Sequence, residues 1–134
     1  MSVKIPDDML YLLEQPVVVT LVTLMEDGHP QATPVWCSWD GTHIWVNTAR
    51  GRQKDLNMSA RPQVTIIAID PENAYRYLEV RGMVDEITED GALAHINTLT
   101  KAYFGRDDFY AKQPGLRDKE TRVIYKIKPT HVSG

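Results

Sequence analysis

Short runs of apolar and β-branched residues, each followed by a turn signal, constrain the fold more than any other feature of this sequence. Val, Ile and Thr suit a pleated, half-buried sheet, and Asp-Gly steps at 27–28 and 40–41 indicate hairpin turns. Pro34 lacks the amide that a central strand donates, so it indicates a sheet edge or a bulge. Hairpin-connected strands favour a small antiparallel barrel, a mainly β fold. The pattern predicts six strands, at 17–24, 30–39, 42–48, 63–69, 75–87 and 121–128.

A few flanking helices and one loop complete the predicted architecture. A short helix at 6–14 carries acids in its first turn, and a two-turn helix at 53–60 is stopped by Pro62. A longer helix is capped by Thr88, continues to 103 and is expected to cover one end of the sheet. The polar segment 106–120 is long for a loop, which favours a lid or a surface that orders against a partner.

Length and charge limit the classes of function. At 134 residues the chain fits one domain, spanning 1–134. A formal net charge of -3 argues against a nucleic-acid binder. The single cysteine, Cys37, excludes an internal disulfide framework, and no Cys/His pair has zinc-site spacing, so no metal site is expected. Neither a signal peptide nor a membrane-spanning run is expected, and a reducing cytoplasm fits the composition.

The segment 47–58 is the strongest candidate for a binding site. An apolar strand ends there, Gly51 permits a tight turn, and Arg50, Arg52 and Lys54 precede or open a helical pattern. The first amides of a helix have no intrahelical partner and attract anions, so the segment is suited to hold a phosphate. The alternative is an arginine-rich turn that faces water.

No residue of the sequence can be assigned a catalytic role. Cys37 lies on an apolar strand, where an inert packed thiol is favoured over a nucleophile. His29 lies at a turn and is expected to be exposed, and His95 lies within the late helix as structure. Tyr103 and Tyr110 could donate a proton to a reduced substrate, although packing in a core or lid is favoured.

The order of several short motifs resembles a known family. The first motifs in this order are a valine-rich strand, an Asp-Gly turn and Pro-Gln-Ala-Thr-Pro-Val-Trp at 30–36. They are followed by Val-Asn-Thr at 46–48 and Arg-Gln-Lys-Asp-Leu-Asn at 52–57. The last two are Arg-Pro-Gln-Val at 61–64 and Leu-Glu-Val-Arg-Gly at 78–82. This succession resembles the pyridoxamine 5'-phosphate oxidase-like split-barrel flavoproteins. Within them it is most similar to the branch that uses the deazaflavin coenzyme F420.

The resemblance implies a six-stranded antiparallel split β-barrel that acts as a homodimer, with cofactor sites between the subunits. It implies that Arg52 and Lys54 bind the cofactor phosphate and that Tyr75 of the other subunit stacks on the ring or forms a wall beside it. The remaining implied cofactor-binding residues are Gln31, Thr33, Pro34 and Val35 along the ring, and Asn47, Thr48 and Ala49 at the ribityl and phosphate portion.

The activity implied by the resemblance is hydride transfer between F420 and a small conjugated organic substrate. An oxidase or reductase that uses flavin mononucleotide (FMN) is the alternative, as is a non-catalytic flavin-binding or heme-binding protein. The C-terminal extension with a Trp and an Arg that true pyridoxamine-phosphate oxidases carry has no counterpart after Val132, so vitamin B6 is not the expected substrate. Arg50 either meets the acidic tail of F420 or is an ordinary exposed arginine.

Overall fold

All strands of the protein belong to one antiparallel sheet. The computed structural model describes residues 3–134, so Met1 and Ser2 of the expected 1–134 domain lie outside the described residues. The strand order in the sheet is β2-β1-β5-β6-β7-β4-β3, which confirms the mainly β antiparallel fold. The strands are β1 (Val19–Leu24), β2 (Pro30–Val35), β3 (Cys37–Trp39), β4 (Ile44–Ala49), β5 (Gln63–Asp70), β6 (Asn73–Thr88) and β7 (Arg122–Ser133).

The strand count is seven rather than six because the segment expected at 30–39 breaks at Trp36. Its first half, β2, pairs with β1, whereas its second half, β3, pairs with β4. These two halves lie at opposite ends of the strand order, so one continuous piece of chain joins both edges of the curled sheet. Pro34 lies opposite Thr20 on the edge strand β2, where the missing amide breaks no ladder. The edge position expected for Pro34 is confirmed.

Alternate residues of the strands fill the barrel. Along β1, Val19, Leu21 and Thr23 are buried and the intervening residues are half-buried, as expected for a strand that lines a barrel. A 3₁₀ turn at Asp7–Met9 leads into α1 (Tyr11–Glu14), whose buried Leu12 and Leu13 join the same core. The amino-terminal segment therefore completes the core rather than standing apart from it.

The longest strand, β6, bends at Gly82. The pairing of β6 with β7 shifts register between Arg81 and Gly82, where the partner strand carries Pro129. A Cβ atom at position 82 would lie 2.7 Å from the Lys128 carbonyl oxygen and 2.7 Å from Ile127 Cγ2. The glycine is therefore required by the close approach of the two strands. β7 continues to Ser133, five residues beyond the expected end at 128.

Two longer helices lie against the sheet. Helix α2 (Gln53–Ala60) has the expected bounds. Helix α3 (Ala92–Phe104) begins later than expected, because Gly91 is its N-cap and Thr88 is the last residue of β6. The Thr88 hydroxyl instead accepts a hydrogen bond from the Asp90 amide at 3.1 Å. Helix α3 packs against β4 and β7.

The segment 106–120 is not entirely a loop. It contains the one-turn helix α4 (Pro114–Arg117), and Tyr110 within it is 2% exposed. The Tyr110 hydroxyl donates a hydrogen bond to Glu120 at 2.6 Å. The structure therefore shows Tyr110 packed against the rest of the protein and not exposed in a lid. Across residues 3–134, no helix has the length and apolar character needed to cross a bilayer.

Candidate functional site

A cleft of about 270 Å³ lies where the break between β2 and β3, the end of β4 and the covering helix α3 meet. One side of the cleft is apolar and aromatic and the other carries three cations, so it offers surfaces for both a flat ring and an anion. Its lining residues are Val18, Pro34, Val35, Trp36, Asn47, Thr48, Arg52, Lys54, Ile96, Leu99, Phe109 and Arg122.

The turn from β4 into α2 sets the direction of the cations. Gly51 has a φ of 91°, a left-handed conformation that side-chain-bearing residues rarely adopt. Arg52 is the N-cap of α2, and no side chain of the described residues caps this helix. The amides of the first helical turn therefore keep their capacity to bind an anion. The corner predicted from the sequence lies at a cleft rather than in open solvent.

Asp55 holds this turn together and removes Arg50 from the cleft. The buried Asp55 carboxylate accepts hydrogen bonds from the Gly51 amide at 2.9 Å and from Arg50 Nη1 at 3.1 Å. It also accepts one from the Tyr125 hydroxyl. Arg50 Nε binds Glu89 at 2.9 Å. Arg50 is thus paired with two carboxylates and does not line the cleft.

Lys54 projects a cation into the cleft without a carboxylate partner. The side chain is half-buried, and no salt bridge or hydrogen bond within residues 3–134 engages its ammonium group. Burial lowers the pKa of Lys54, and the positive charges of Arg52 and Arg122 lower it further. An unpaired cation beside two others is unfavourable by itself and becomes favourable when an anion binds between them.

Arg52 and Arg122 share one acid. Arg52 Nη2 donates to Glu120 Oε2 at 3.0 Å, and Arg122 Nη1 donates to Glu120 Oε1 at 3.3 Å. These contacts and the hydrogen bond from the Tyr110 hydroxyl lower the pKa of Glu120 against the opposing effect of its burial. Positive charge remains in excess at the cleft, because Glu120 contacts neither Lys54 nor the helix amides in the described chain.

Arg122 was not found by sequence reasoning. It is the first residue of β7 and lies opposite Ala49 of β4, so the pairing of two distant strands brings it to the cleft. Only 8% of its surface is exposed, and its guanidinium carbon lies 5.0 Å from the centre of the Phe109 ring. The sequence shows only an arginine near the start of the last predicted strand, and without the strand order that position indicates no site.

A polar network anchors the cation side of the cleft to α3. Asn47 Oδ1 accepts a hydrogen bond from Arg122 Nε at 2.9 Å, and Asn47 Nδ2 donates to Ala92 O at 2.8 Å. Asn47 Nδ2 also lies 3.1 Å from His95 Nδ1, while His95 Nε2 lies 2.9 Å from Ser38 Oγ. Because an amide nitrogen can only donate, Nδ1 is the acceptor and the His95 proton resides on Nε2. Burial lowers the pKa of His95 to about 4, with a further contribution from Arg122.

The aromatic side of the cleft centres on Trp36, where the chain passes between the sheet edges. Its ring stacks on Tyr103 with centroids 5.1 Å apart. The Tyr103 hydroxyl donates to Val17 O at 2.9 Å and accepts from the Cys37 amide at 3.2 Å. Burial raises the pKa of Tyr103 to about 12. Tyr103 therefore has a packing role, joining α3 to the segment before β1 and to the start of β3.

The remaining sequence candidates lie apart from the cleft. Cys37 is 4% exposed, and burial raises its thiol pKa to about 12, so the thiol is protonated and inert at neutral pH. His29 is exposed at its turn, as expected. Among residues 3–134 no group of three His, Cys, Asp or Glu side chains is arranged to hold a metal ion.

The structure brings six of the ten proposed cofactor-binding residues to the cleft. Four others do not line it: Ala49 is buried beside Arg122, Thr33 is half-buried on β2, and Gln31 borders a separate cavity with Gln53. Tyr75 is 95% exposed at the start of β6. The six cleft residues are Pro34, Val35, Asn47, Thr48, Arg52 and Lys54.

The curled antiparallel sheet, with a cleft at the break between its two edge strands, defines a split β-barrel of the pyridoxamine 5'-phosphate oxidase type. A family model described as pyridoxamine 5'-phosphate oxidase matches residues 5–134, so the chain belongs to this family. The resemblance seen in the sequence motifs is thereby confirmed. No protein of curated function matches the sequence.

Solved structures support the same fold. A structure described as an F420 reductase is 36% identical, covers 96% of this chain and 98% of its own, and superposes with a TM-score of 0.82. A conserved hypothetical protein of Mycobacterium tuberculosis is 26% identical, with a TM-score of 0.65 and coverage of 87% and 74% of the two chains. The heme storage protein HutZ of Vibrio cholerae shares the fold at 15% identity, with a TM-score of 0.68 and coverage of 98% and 94%.

Proposed function

We propose that this protein is an oxidoreductase that uses coenzyme F420 to transfer a hydride to or from a small conjugated organic molecule. The observation that carries the proposal is the Lys54 ammonium group, half-buried in the cleft, flanked by two arginines and without a carboxylate partner. The 36% identity to a structure described as an F420 reductase supports the choice of cofactor.

The residues of the cleft fit a phosphorylated tricyclic cofactor. Arg52 and Lys54, with the uncapped amides of α2, supply donors for the phosphate. The aromatic and apolar wall around Trp36 suits a flat heterocycle. The proposal keeps the remaining assignments made from the family resemblance: Gln31, Thr33, Pro34 and Val35 along the ring, and Asn47, Thr48 and Ala49 at the ribityl chain and phosphate.

The cofactor, when bound, supplies the hydride chemistry. The protein binds and orients the cofactor and the substrate and excludes water from the cleft. Accordingly, the cleft needs no dedicated nucleophile or base. Tyr103, which stacks on Trp36, and Cys37, which follows Trp36 in the sequence, are held protonated by burial, which raises the pKa of each to about 12. The substrate is proposed to be a small molecule that stacks against the ring.

A second copy of the chain is the proposed partner. We define the outer apolar face as Val18, just before β1, together with Thr20 and Val22 of β1, Ile67 and Ile69 of β5, and Tyr77 of β6. Val18 is 55% exposed and Ile69 is 45% exposed, which is unusual for side chains of this type on a sheet. Val18 also lines the cleft, so a copy docked on this face would complete the cofactor site. The exposed Tyr75 is proposed to reach the partner's ring.

FMN is the second candidate cofactor, because the same cations would hold its phosphate. A heme-binding role is disfavoured, since the lining residues of the cleft that the structure describes include no His, Cys, Met or Tyr that could ligate iron. Titration of the purified protein with F420 and with FMN, followed by fluorescence, distinguishes the cofactors. We expect F420 to bind at micromolar or lower concentration and FMN more weakly; failure to bind either removes the proposal.

Turnover is the next test. Reduced F420 is mixed with the protein and a panel of conjugated acceptors, and absorbance of the oxidised cofactor is followed. We expect protein-dependent oxidation with at least one acceptor. Tight F420 binding without turnover across the panel would instead support a non-catalytic carrier.

The dimer is tested separately by sedimentation velocity. Ile69→Arg places a charge on the outer apolar face without altering the cleft lining, so it should convert a dimer to a monomer and weaken cofactor binding. Leu93→Arg on α3 is the matched control, because Leu93 is 38% exposed and lies off this face. A wild-type protein that sediments as a monomer at micromolar concentration would contradict the proposed dimer.

A further inference from the structure

We infer that Arg122, together with Arg52 and Lys54, binds the phosphate of the cofactor, and that Asn47 positions Arg122 for this task. The inference rests on the proposed function and deepens it. It replaces the adjacent sequence candidate, Arg50, as the third cation of the site.

The hydrogen bonds of Arg122 leave one end of its guanidinium group free. Nε is bound by Asn47 at 2.9 Å and Nη1 by Glu120 at 3.3 Å, whereas Nη2 has no partner in residues 3–134. No fully buried side-chain nitrogen of this part of the chain lacks a partner, so Nη2 must reach accessible space. Although 92% of the residue is buried, the free nitrogen therefore remains able to bind a ligand.

The charge of Arg122 acts on the cleft. Arg122 borders both the cleft and a smaller cavity beyond Glu120. Its positive charge contributes to lowering the pKa of Lys54, which lines the same cleft. Arg52, Lys54 and Arg122 all line the cleft, and a phosphate is an anion whose oxygens can accept hydrogen bonds from all three side chains.

The surroundings of Arg122 fix its orientation in advance. The Asn47 amide uses both of its N–H groups on Ala92 O and His95 Nδ1 and offers its oxygen to Arg122. The guanidinium plane is further held against the Phe109 ring. Such a fixed planar fork loses little freedom when it binds an anion. Glu120 contacts both arginines, and its negative charge offsets part of the repulsion between them.

Arg50 lacks these properties. Its guanidinium group is bound to Asp55 and Glu89, and it does not border the cleft. Its nearness in sequence to Arg52 is therefore misleading, because the Gly51 turn separates the two side chains. Binding of the phosphate needs no displacement of a carboxylate from Arg50.

The test compares F420 with its phosphate-free precursor, the deazaflavin that carries only the ribityl chain. Dissociation constants for both are measured by fluorescence for wild type, Arg122→Gln, Arg122→Lys and Arg106→Gln. Arg106 is the control, because its guanidinium carbon also lies over an aromatic ring, 5.5 Å from the centroid of Phe104, but away from the cleft.

We expect Arg122→Gln to raise the dissociation constant of F420 by about 10- to 100-fold, the effect of one lost charge-assisted hydrogen bond. Binding of the phosphate-free compound should change by less than about twofold, since that compound lacks the anion. Arg122→Lys should recover part of the loss, because it restores charge but not the fork held by Asn47. Arg106→Gln should leave both constants unchanged.

If Arg122→Gln weakened the binding of F420 and of its phosphate-free precursor equally, Arg122 would have a purely structural role and the inference would be overturned. An unchanged F420 constant in that variant would also overturn it while leaving the proposed function intact. If the wild-type protein binds neither F420 nor FMN, the proposed function and this inference are both refuted.

Discussion

Removal of the Lys54 charge should weaken cofactor binding without destabilising the protein. The Lys54→Met substitution keeps the length and apolar stem of the side chain and deletes the ammonium group that lines the cleft. Loss of a charge-assisted hydrogen bond to phosphate should cost about 1.5–3 kcal/mol of binding free energy. The dissociation constant for F420 should accordingly rise by about 10- to 150-fold.

The same substitution should not destabilise the protein. Burial and the charges of Arg52 and Arg122 lower the pKa of Lys54, so the folded protein releases this proton at a lower pH than the unfolded chain does. At neutral pH the charge therefore opposes folding. Because Lys54 is only half-buried, solvent screens the repulsion, and the free energy of unfolding should rise by no more than about 1 kcal/mol.

Two measurements check this pair of effects. Fluorescence titration gives the F420 dissociation constant, and urea denaturation of the cofactor-free protein gives the free energy of unfolding. Lys101→Met is the matched control, because Lys101 is 63% exposed on α3 and pairs with Asp107 outside the cleft. A Lys54→Met protein that binds F420 within twofold of wild type, or one that loses affinity only because it is unfolded, would refute the reasoning.

Three further predictions concern stability and reactivity. Gly82→Ala should lower the free energy of unfolding by about 1–3 kcal/mol, because the added Cβ would lie 2.7 Å from the Lys128 carbonyl oxygen. Gly115→Ala is the control and should be nearly neutral in the same urea assay, because no atom lies within 4 Å of its added Cβ. Equal effects of the two substitutions would contradict this prediction. The lowered pKa of His95, about 4 instead of 6.5, means that the unfolded chain takes up a proton first on acidification. Stability should thus fall by about 3 kcal/mol between pH 6.5 and 4 through this residue, and His95→Gln should lack that part of the loss in pH-dependent denaturation. Finally, Cys37 should react with a disulfide reagent at pH 8 only after the protein unfolds, since burial raises its pKa to about 12; rapid reaction of the native protein would show an accessible thiol.

The strands and turns of this fold could be predicted because their signals are local. β-Branched alternation and the Asp-Gly turns lie within single elements, and they gave the correct position of five of the six expected strands and of α2. The break at Trp36 could not be predicted, because it depends on which strands pair with each half of the segment. Local composition is continuous from 30 to 39, whereas the two halves lie at opposite ends of the strand order.

In the candidate site, too, residues with local sequence signals could be predicted, and a residue placed there by strand pairing could not. Arg52 and Lys54 were identified because a glycine turn and a helix start are encoded in a few consecutive residues. Arg122 was missed because only the pairing of β4 with β7 brings it beside Ala49. The two roles expected for Arg50 stayed open for a related reason, because its partner Glu89 lies 39 positions away, between β6 and α3.

The most direct test of the central claim is a crystal structure of the protein with F420 bound. We expect the cofactor phosphate in the cleft beside the β4–α2 turn, with an oxygen within hydrogen-bonding distance, roughly 2.7–3.2 Å, of Lys54 Nζ. We also expect contacts to the phosphate from Arg52 and from the free Nη2 of Arg122. A phosphate found in another cavity, with the Lys54 ammonium group still in contact with solvent alone, would contradict it.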